Sequence, residues 1–229
     1  MCGRFILTSS GKRLAEEFGL VTEPDLRPRY NIAPTEEIAA IRTDPNSKVK
    51  KLSYLKWGLI PSWAKDASIG ASLINARCET LRQKPAFRAA FKRRRCLIPA
   101  NGFYEWQKME LKKQPYLVQL ADRSLFAFAG LWEHWGSQEE VILESCTIIT
   151  TESNHLLRPI HDRMPVIIAR RYYDLWLGLK EPPKEIFHPY PSDEMILFPV
   201  NPRVNRAGYD QPDCMDPAIV GRPDTGPVH

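Results

Sequence analysis

Short apolar stretches recur between turn signals along this chain, and only three short segments carry a helical pattern to set against them. The stretches run at 37–42, 51–59, 72–77, 96–99, 103–107, 116–120, 125–132, 141–150, 165–169 and 195–200, and most read as strands. Helical spacing appears at 12–18, after the cap candidates Ser9 and Ser10, and at 85–91 and 170–179. Strands that outnumber helices without regular interleaving point to an α+β domain: a mostly antiparallel sheet or barrel-like core flanked by short helices. No repeat occurs at a period of about 20 to 50 residues. From Asn205 onward Gly208, Pro212, Pro217, Gly221, Pro223, Gly226 and Pro227 punctuate a mostly polar stretch. The expected division is therefore a domain over 2–204 and a surface-hugging or flexible tail over 205–229.

With 43% hydrophobic and 26% charged residues over 229 positions, collagen-like, coiled-coil and fully disordered chains are excluded. Five cysteines, at 2, 78, 96, 146 and 214, form no C-x-x-C pair, so neither a disulfide framework nor a zinc knuckle is indicated, and no metal or cofactor is expected. The start of the chain lacks an apolar export core behind a basic flank, and no apolar run reaches the roughly 18 residues of a membrane span. A cytoplasmic monomer without membrane association is expected.

Cys2 stands apart by position. Removal of Met1 would leave a free α-amine beside a free thiol. An α-amine with an ordinary pKa is roughly a tenth to a sixth neutral at pH 7, against about 0.04% for a lysine. For attack on an aldehyde it leads any unperturbed lysine by more than two orders of magnitude. Once the amine has formed an imine, the β-thiol is placed to close a five-membered thiazolidine ring within the same residue.

Three other segments carry candidate chemistry. Strand period places Leu73, Asn75, Arg77 and Glu79 on one face of 72–79, either a solvated face or an amide and a guanidinium facing a polar anion. Glu105 lies among Phe103, Tyr104 and Trp106, where desolvation would raise its pKa toward neutrality, unless it sits on an exposed edge. His161 lies in a charged loop bracketed by Pro159 and Pro165. The net charge of +5 is concentrated: from Arg82 to Arg95 there are seven basic residues and no acid, interleaved with Phe87 and Phe91. That run suits phosphate contacts through Arg93, Arg94 and Arg95, with Trp57 and Trp63 as stacking surfaces for unpaired bases; a solvated helix face accounts for the same pattern.

The segments Met1 to Phe5, Arg29 to Pro34, Trp57 to Pro61, Ile74 to Thr80, Arg95 to Trp106 and His161 to Pro165, taken in order, resemble the SRAP family, the SOS-response-associated peptidases, over residues 2–204. The resemblance implies a sensor of abasic sites in single-stranded DNA. Such a protein cross-links itself to the ring-opened sugar as a thiazolidine and protects the lesion. By that resemblance Cys2 is the nucleophile, Asn75 positions the linked sugar, Glu105 shuttles protons and His161 assists ring opening and, in some members, reversal. Self-removal of Met1 and lyase activity at abasic sites are implied in the same way. Arg4, Arg77 and Arg163 match phosphate contacts. Trp63 falls where relatives carry aromatic residues beside the lesion, although Lys65-Asp66-Ala67 after it departs from the family pattern.

Other readings remain at this level. A cysteine peptidase would use Cys2, His161 and Glu105 as a triad. A class II glutamine amidotransferase would also begin Met-Cys-Gly, but its histidine-arginine-glycine motif and glycine-aspartate clamp are absent from the sequence. A single-strand binding module would need only the basic run and the aromatics.

Overall fold

The computed structural model describes residues 2–44, 46–110, 113–136 and 143–218. Among these residues thirteen strands form: β1 (Phe5–Leu7), β2 (Arg29–Ile32), β3 (Glu37–Thr43), β4 (Lys50–Trp57), β5 (Asn75–Arg77), β6 (Arg95–Ala100), β7 (Gly102–Lys108), β8 (Lys113–Leu120), β9 (Phe126–Trp135), β10 (Leu143–Glu152), β11 (Arg163–Pro165), β12 (Ile167–Ile168) and β13 (Met195–Pro199). Three α-helices accompany them: α1 (Gly11–Phe18), α2 (Pro85–Arg93) and α3 (Tyr173–Leu177). This is the expected strand-dominated α+β architecture. Residues 141 and 142 of the expected strand at 141–150 lie outside the described residues.

Five strands close on themselves. β3 pairs antiparallel with β4 and β6, β6 with β9, and β9 with β10, and β10 returns to β4 in parallel. Closure leaves those strands no open edge. A second sheet runs β13-β8-β7-β1-β2, antiparallel throughout. The chain passes from one sheet to the other between β6 and β7, at Asn101. Its side-chain carbonyl accepts from the amides of Thr8 and Ser9 at 2.8 and 3.0 Å. Gly102 follows because a Cβ there would stand 2.8 Å from the Val118 carbonyl.

The core between the layers is aromatic. Phe5 meets Trp57 and Phe128 edge-on at 5.3 and 5.8 Å, and Phe103 and Phe126 meet Phe128 at 5.9 and 5.3 Å. Burying rings of this size contributes on the order of 2 kcal/mol each. Trp57 is fully buried and donates its indole N–H to the Ile74 carbonyl, so it offers no stacking surface for a base, which corrects its assignment from sequence.

Helix α1 follows its sequence signals: the Ser10 hydroxyl caps it by accepting from the Arg13 amide, and Leu14 and Phe18, one turn apart, both face the core. The expected strand at 72–77 shortens to Asn75–Arg77 because single turns of 3-10 helix occupy Ala67–Ser72 before it and Cys78–Thr80 after it. Residues 205–218, assigned to the tail, pack against the domain: Val200 bridges Pro217, and Cys214 is fully buried. Residues 219–229 lie outside the described residues. Among the described residues no helix is long and apolar enough to cross a membrane.

Candidate active site

The antiparallel pairing of β1 with β7 sets Phe5 opposite Phe103, and the Tyr104 amide donates to the Arg4 carbonyl. Carried two residues further, that register sets Gly3 opposite Glu105 and brings Cys2 to the carboxylate. β5 runs parallel beside β10, and from it the Asn75 amide donates to the Cys2 carbonyl at 2.9 Å. The Asn75 Oδ1 is buried with no hydrogen-bond partner among the described residues. β10 turns back through β11, which places His161 at the same opening as Glu105. Asn75 and Glu105 thus reach Cys2 through strand pairing, and His161 stands with Glu105 on the wall of the same opening.

The opening is a cleft of about 700 Å³ whose walls include Arg4, Glu105, Trp106, Lys108, Lys113 and His161, with Pro202 and Asn205 on one side. Glu105 is the single acid among the described residues lining it, so the cleft is cationic and suited to an anion. Cys2 is fully buried and its Sγ donates to the Arg4 carbonyl at 3.8 Å. Burial, then the charge of Glu105, push its thiol far above the usual cysteine range. Burial likewise pushes the Glu105 carboxyl up to about 7, so at neutral pH it both gives and takes a proton. Desolvation lowers the pKa of His161, and the Arg163 amide donates to its Nδ1 at 3.0 Å. A neutral imidazole with Nδ1 as acceptor carries its proton on Nε2. Asp162 Oδ1 also lies 2.9 Å from Nδ1, but it would hydrogen-bond there only if Nδ1 were protonated, so the amide is the operative partner.

The cationic candidates separate. Arg4 lines the cleft, donates to Asn31 Oδ1 and the Val204 carbonyl, and lies over the Trp106 ring at 6.0 Å. Arg77 is exposed at the end of β5, two residues from Asn75. Arg163 is committed to Glu79. Trp63 is 59% exposed, free to meet a partner. The basic run does not face the cleft as one patch. Arg95 is buried and gives its guanidinium to the carbonyls of Phe91, Trp176, Gly178 and Lys180, which rules it out as a phosphate contact. Arg94 pairs with the buried Glu133, and Arg82 with Glu181. Arg93 stays exposed but lines a different cavity, with Arg42 and Glu144.

Sequence reasoning missed Lys108, Lys113 and Asn31. The two lysines flank the β7–β8 connection, and only strand pairing turns them toward the cleft. Asn31 is 1% exposed; it accepts from Arg4 and donates to the carbonyls of Val204, Arg206 and Tyr209. Its place in Arg29 to Pro34, one of the segments that carry the family resemblance, was the available signal. No cluster of metal-ligating side chains occurs among the described residues.

Comparison with known proteins gives a consistent picture. A family model described as SOS response associated peptidase (SRAP) matches residues 1–207. The Bacillus subtilis protein named abasic site processing protein YoaM is 41% identical over 224 residues, covering 94% of this chain and 98% of that protein. The Xenopus tropicalis protein named abasic site processing protein HMCES is 30% identical over 227 residues, covering 85% of this chain and 67% of that one. A crystal structure of a Bacteroides thetaiotaomicron protein superposes with a TM-score of 0.83 over 95% of this chain and all of that one, at 23% identity, which establishes likeness of fold.

Proposed function

The chain belongs to the SOS response associated peptidase (SRAP) family, and we propose that it processes abasic sites in single-stranded DNA by joining itself to them through Cys2 once Met1 has been hydrolysed away. The observation that carries this reading is the burial of Cys2 against Glu105 and Asn75 at the head of a cation-lined cleft.

An abasic sugar is a cyclic hemiacetal that masks an aldehyde between two phosphates. His161, neutral with its proton on Nε2, donates to the ring oxygen as the anomeric hydroxyl loses its own proton, and the aldehyde opens. The Cys2 α-amine adds to the aldehyde carbon. Glu105, titrating near 7, gives a proton to the departing hydroxyl, and water leaves as the imine forms. The Cys2 Sγ then bonds to the imine carbon while the thiol proton passes to nitrogen, closing the thiazolidine. The net reaction joins amine, thiol and aldehyde and releases one water. Asn75, bonded to the Cys2 carbonyl, fixes the backbone that carries both nucleophiles. Arg4, Lys108 and Lys113 supply charge for the flanking phosphates. Lesion protection in the cytoplasm, on the nucleoid, and lyase activity through the same imine complete the reading.

A Cys2, His161 and Glu105 peptidase triad is less well supported. Catalytic thiols are activated by a lowered pKa, whereas this thiol is raised and hydrogen-bonded to a carbonyl. The test is direct. Methionine-processed protein is mixed with a single-stranded oligonucleotide carrying one abasic site and examined by denaturing gel and mass spectrometry. A heat-stable adduct lighter than the sum of its parts by one water is expected. No such adduct from the native protein, or its persistence in Cys2→Ala, refutes the proposal.

A further inference from the structure

We propose that the cavity at the ends of β3, β9 and β10, beside the segment that follows α3, is a second binding site, and that its ligand is a phosphate monoester with a flat apolar body, such as a nucleoside monophosphate. The site is separate from the cleft at Cys2, and its ligand takes no part in the chemistry proposed there.

The cavity measures about 610 Å³, the size of a small-molecule site. Glu144, on its wall, stands at the start of β10. Asn75, which is bonded to Cys2, pairs with Ile148 on the same strand, about 13 Å further along at the rise of an extended chain.

Five basic side chains and two carboxylates line the cavity among the described residues, so its charge favours an anion. Both carboxylates are already paired: Glu144 holds Arg42 through two bonds of 2.6 Å, and Asp44 holds Lys51 at 2.9 Å. Arg95, on the same wall, is bonded to carbonyls alone and forms no ion pair among the described residues. Its N–H groups are taken, but no opposite charge matches its own, and an anion brought near stabilises a buried cation in that state. Arg93 is exposed in the last turn of α2, in no ion pair among the described residues, and its fork of N–H groups suits a phosphate.

The remaining wall is apolar and held in place. The Arg42 guanidinium lies over the ring of the half-buried Trp132, 4.4 Å from its centroid, and its Nε donates to Ser53 Oγ at 2.8 Å. Ring and guanidinium thus form a fixed plane, which lowers the ordering cost of binding and favours a flat ring over an acyl chain. Leu177 and Leu179 add aliphatic surface, with Leu179 74% exposed. A bare anion would leave that surface wet, and an uncharged ring would leave the positive charge unmatched. A nucleotide satisfies both.

Calorimetric titration of the full chain with deoxyadenosine monophosphate tests the site, with inorganic phosphate and deoxyadenosine as the two halves of the ligand. The nucleotide is expected to bind at one site per chain, at least about tenfold more tightly than either half, as the loss of a hydrogen bond to a charged group implies. Arg93→Gln and Leu179→Asp, both at exposed positions, are each expected to weaken it by about tenfold while the urea midpoint of unfolding stays that of the native protein. A saturating undamaged single-stranded oligonucleotide is expected to leave nucleotide binding in place. Absence of binding at millimolar nucleotide overturns the proposal, as does binding that is undiminished in both variants or displaced by the oligonucleotide. Inorganic phosphate or deoxyadenosine binding as tightly as the nucleotide overturns it as well. The titration needs neither an abasic site nor a processed Cys2, so its outcome is independent of whether the cleft forms an adduct.

Discussion

Glu105 shows how burial, as the largest influence, moves an ordinary carboxyl into the neutral range. It is 2% exposed, and desolvation lifts its pKa to about 7. The folded chain therefore holds this proton at pH values where the unfolded chain has released it. Because the native state binds more protons, stability falls as pH rises from the ordinary glutamate range to about 7 and is level above it. Glu105→Gln removes that loss. The variant is expected to match the native protein near pH 4 and to exceed it at pH 8 by on the order of 3 kcal/mol, while forming adduct roughly 10² to 10⁴ times more slowly. Urea unfolding at the two pH values checks the first expectation and single-turnover gels the second; a variant no more stable than native at pH 8 would show that Glu105 bears no desolvation strain.

The segment after β13 shows what an element can do without regular structure. Asp210 accepts from the amides of Tyr30 and Asn31 at 2.5 and 2.8 Å and pairs with Arg29, while Asn31 gathers three carbonyls of the segment and Arg4. Pro202 and Asn205 thereby become a wall of the cleft, and the Trp106 indole donates to Asn205. Asn31→Ala breaks all four bonds of that side chain, and with unsatisfied groups at about 1 to 3 kcal/mol each, partly relieved by water, a loss of about 3 kcal/mol is expected. Urea unfolding measures it, and a cost under about 0.5 kcal/mol, as for an ordinary surface change, would mean the segment is held elsewhere. This packing was hidden in the sequence because glycine and proline punctuation reads as loop, and the anchor lies more than 170 residues away at Asn31. Strands β1 and β2, of 3 and 4 residues, were likewise too short for alternation to register. The longer strands and α1 and α2 were legible because period and caps are local signals. Cys2, Asn75, Glu105 and His161 stood out by residue type and motif, but their meeting depends on pairings between strands that only the fold supplies.

At the scale of the whole molecule, the question is where the surplus positive charge acts. Arg77 lies opposite Thr150 on β10, two residues along β5 from Asn75, which is bonded to Cys2. Arg93 shares its cavity with Glu144, six residues back along the same strand, about 20 Å away at the rise of an extended chain. That separation exceeds the roughly 10 Å over which exposed charges interact at 0.1 M salt. Much of the basic run that looked like one patch is neutralised in place, by Glu181 for Arg82 and by Glu133 for Arg94. The polyanion is therefore expected to be read by the cleft cations. Arg77→Gln should lower the slope of log affinity against log salt for an undamaged single strand by about 0.7, one phosphate contact. Arg93→Gln should change it by clearly less. Filter binding or fluorescence anisotropy between about 50 and 200 mM salt resolves the two. A larger change from Arg93 than from Arg77 would move the DNA path off the cleft and onto the far end of β10, and the route from charge to Cys2 would have to be redrawn.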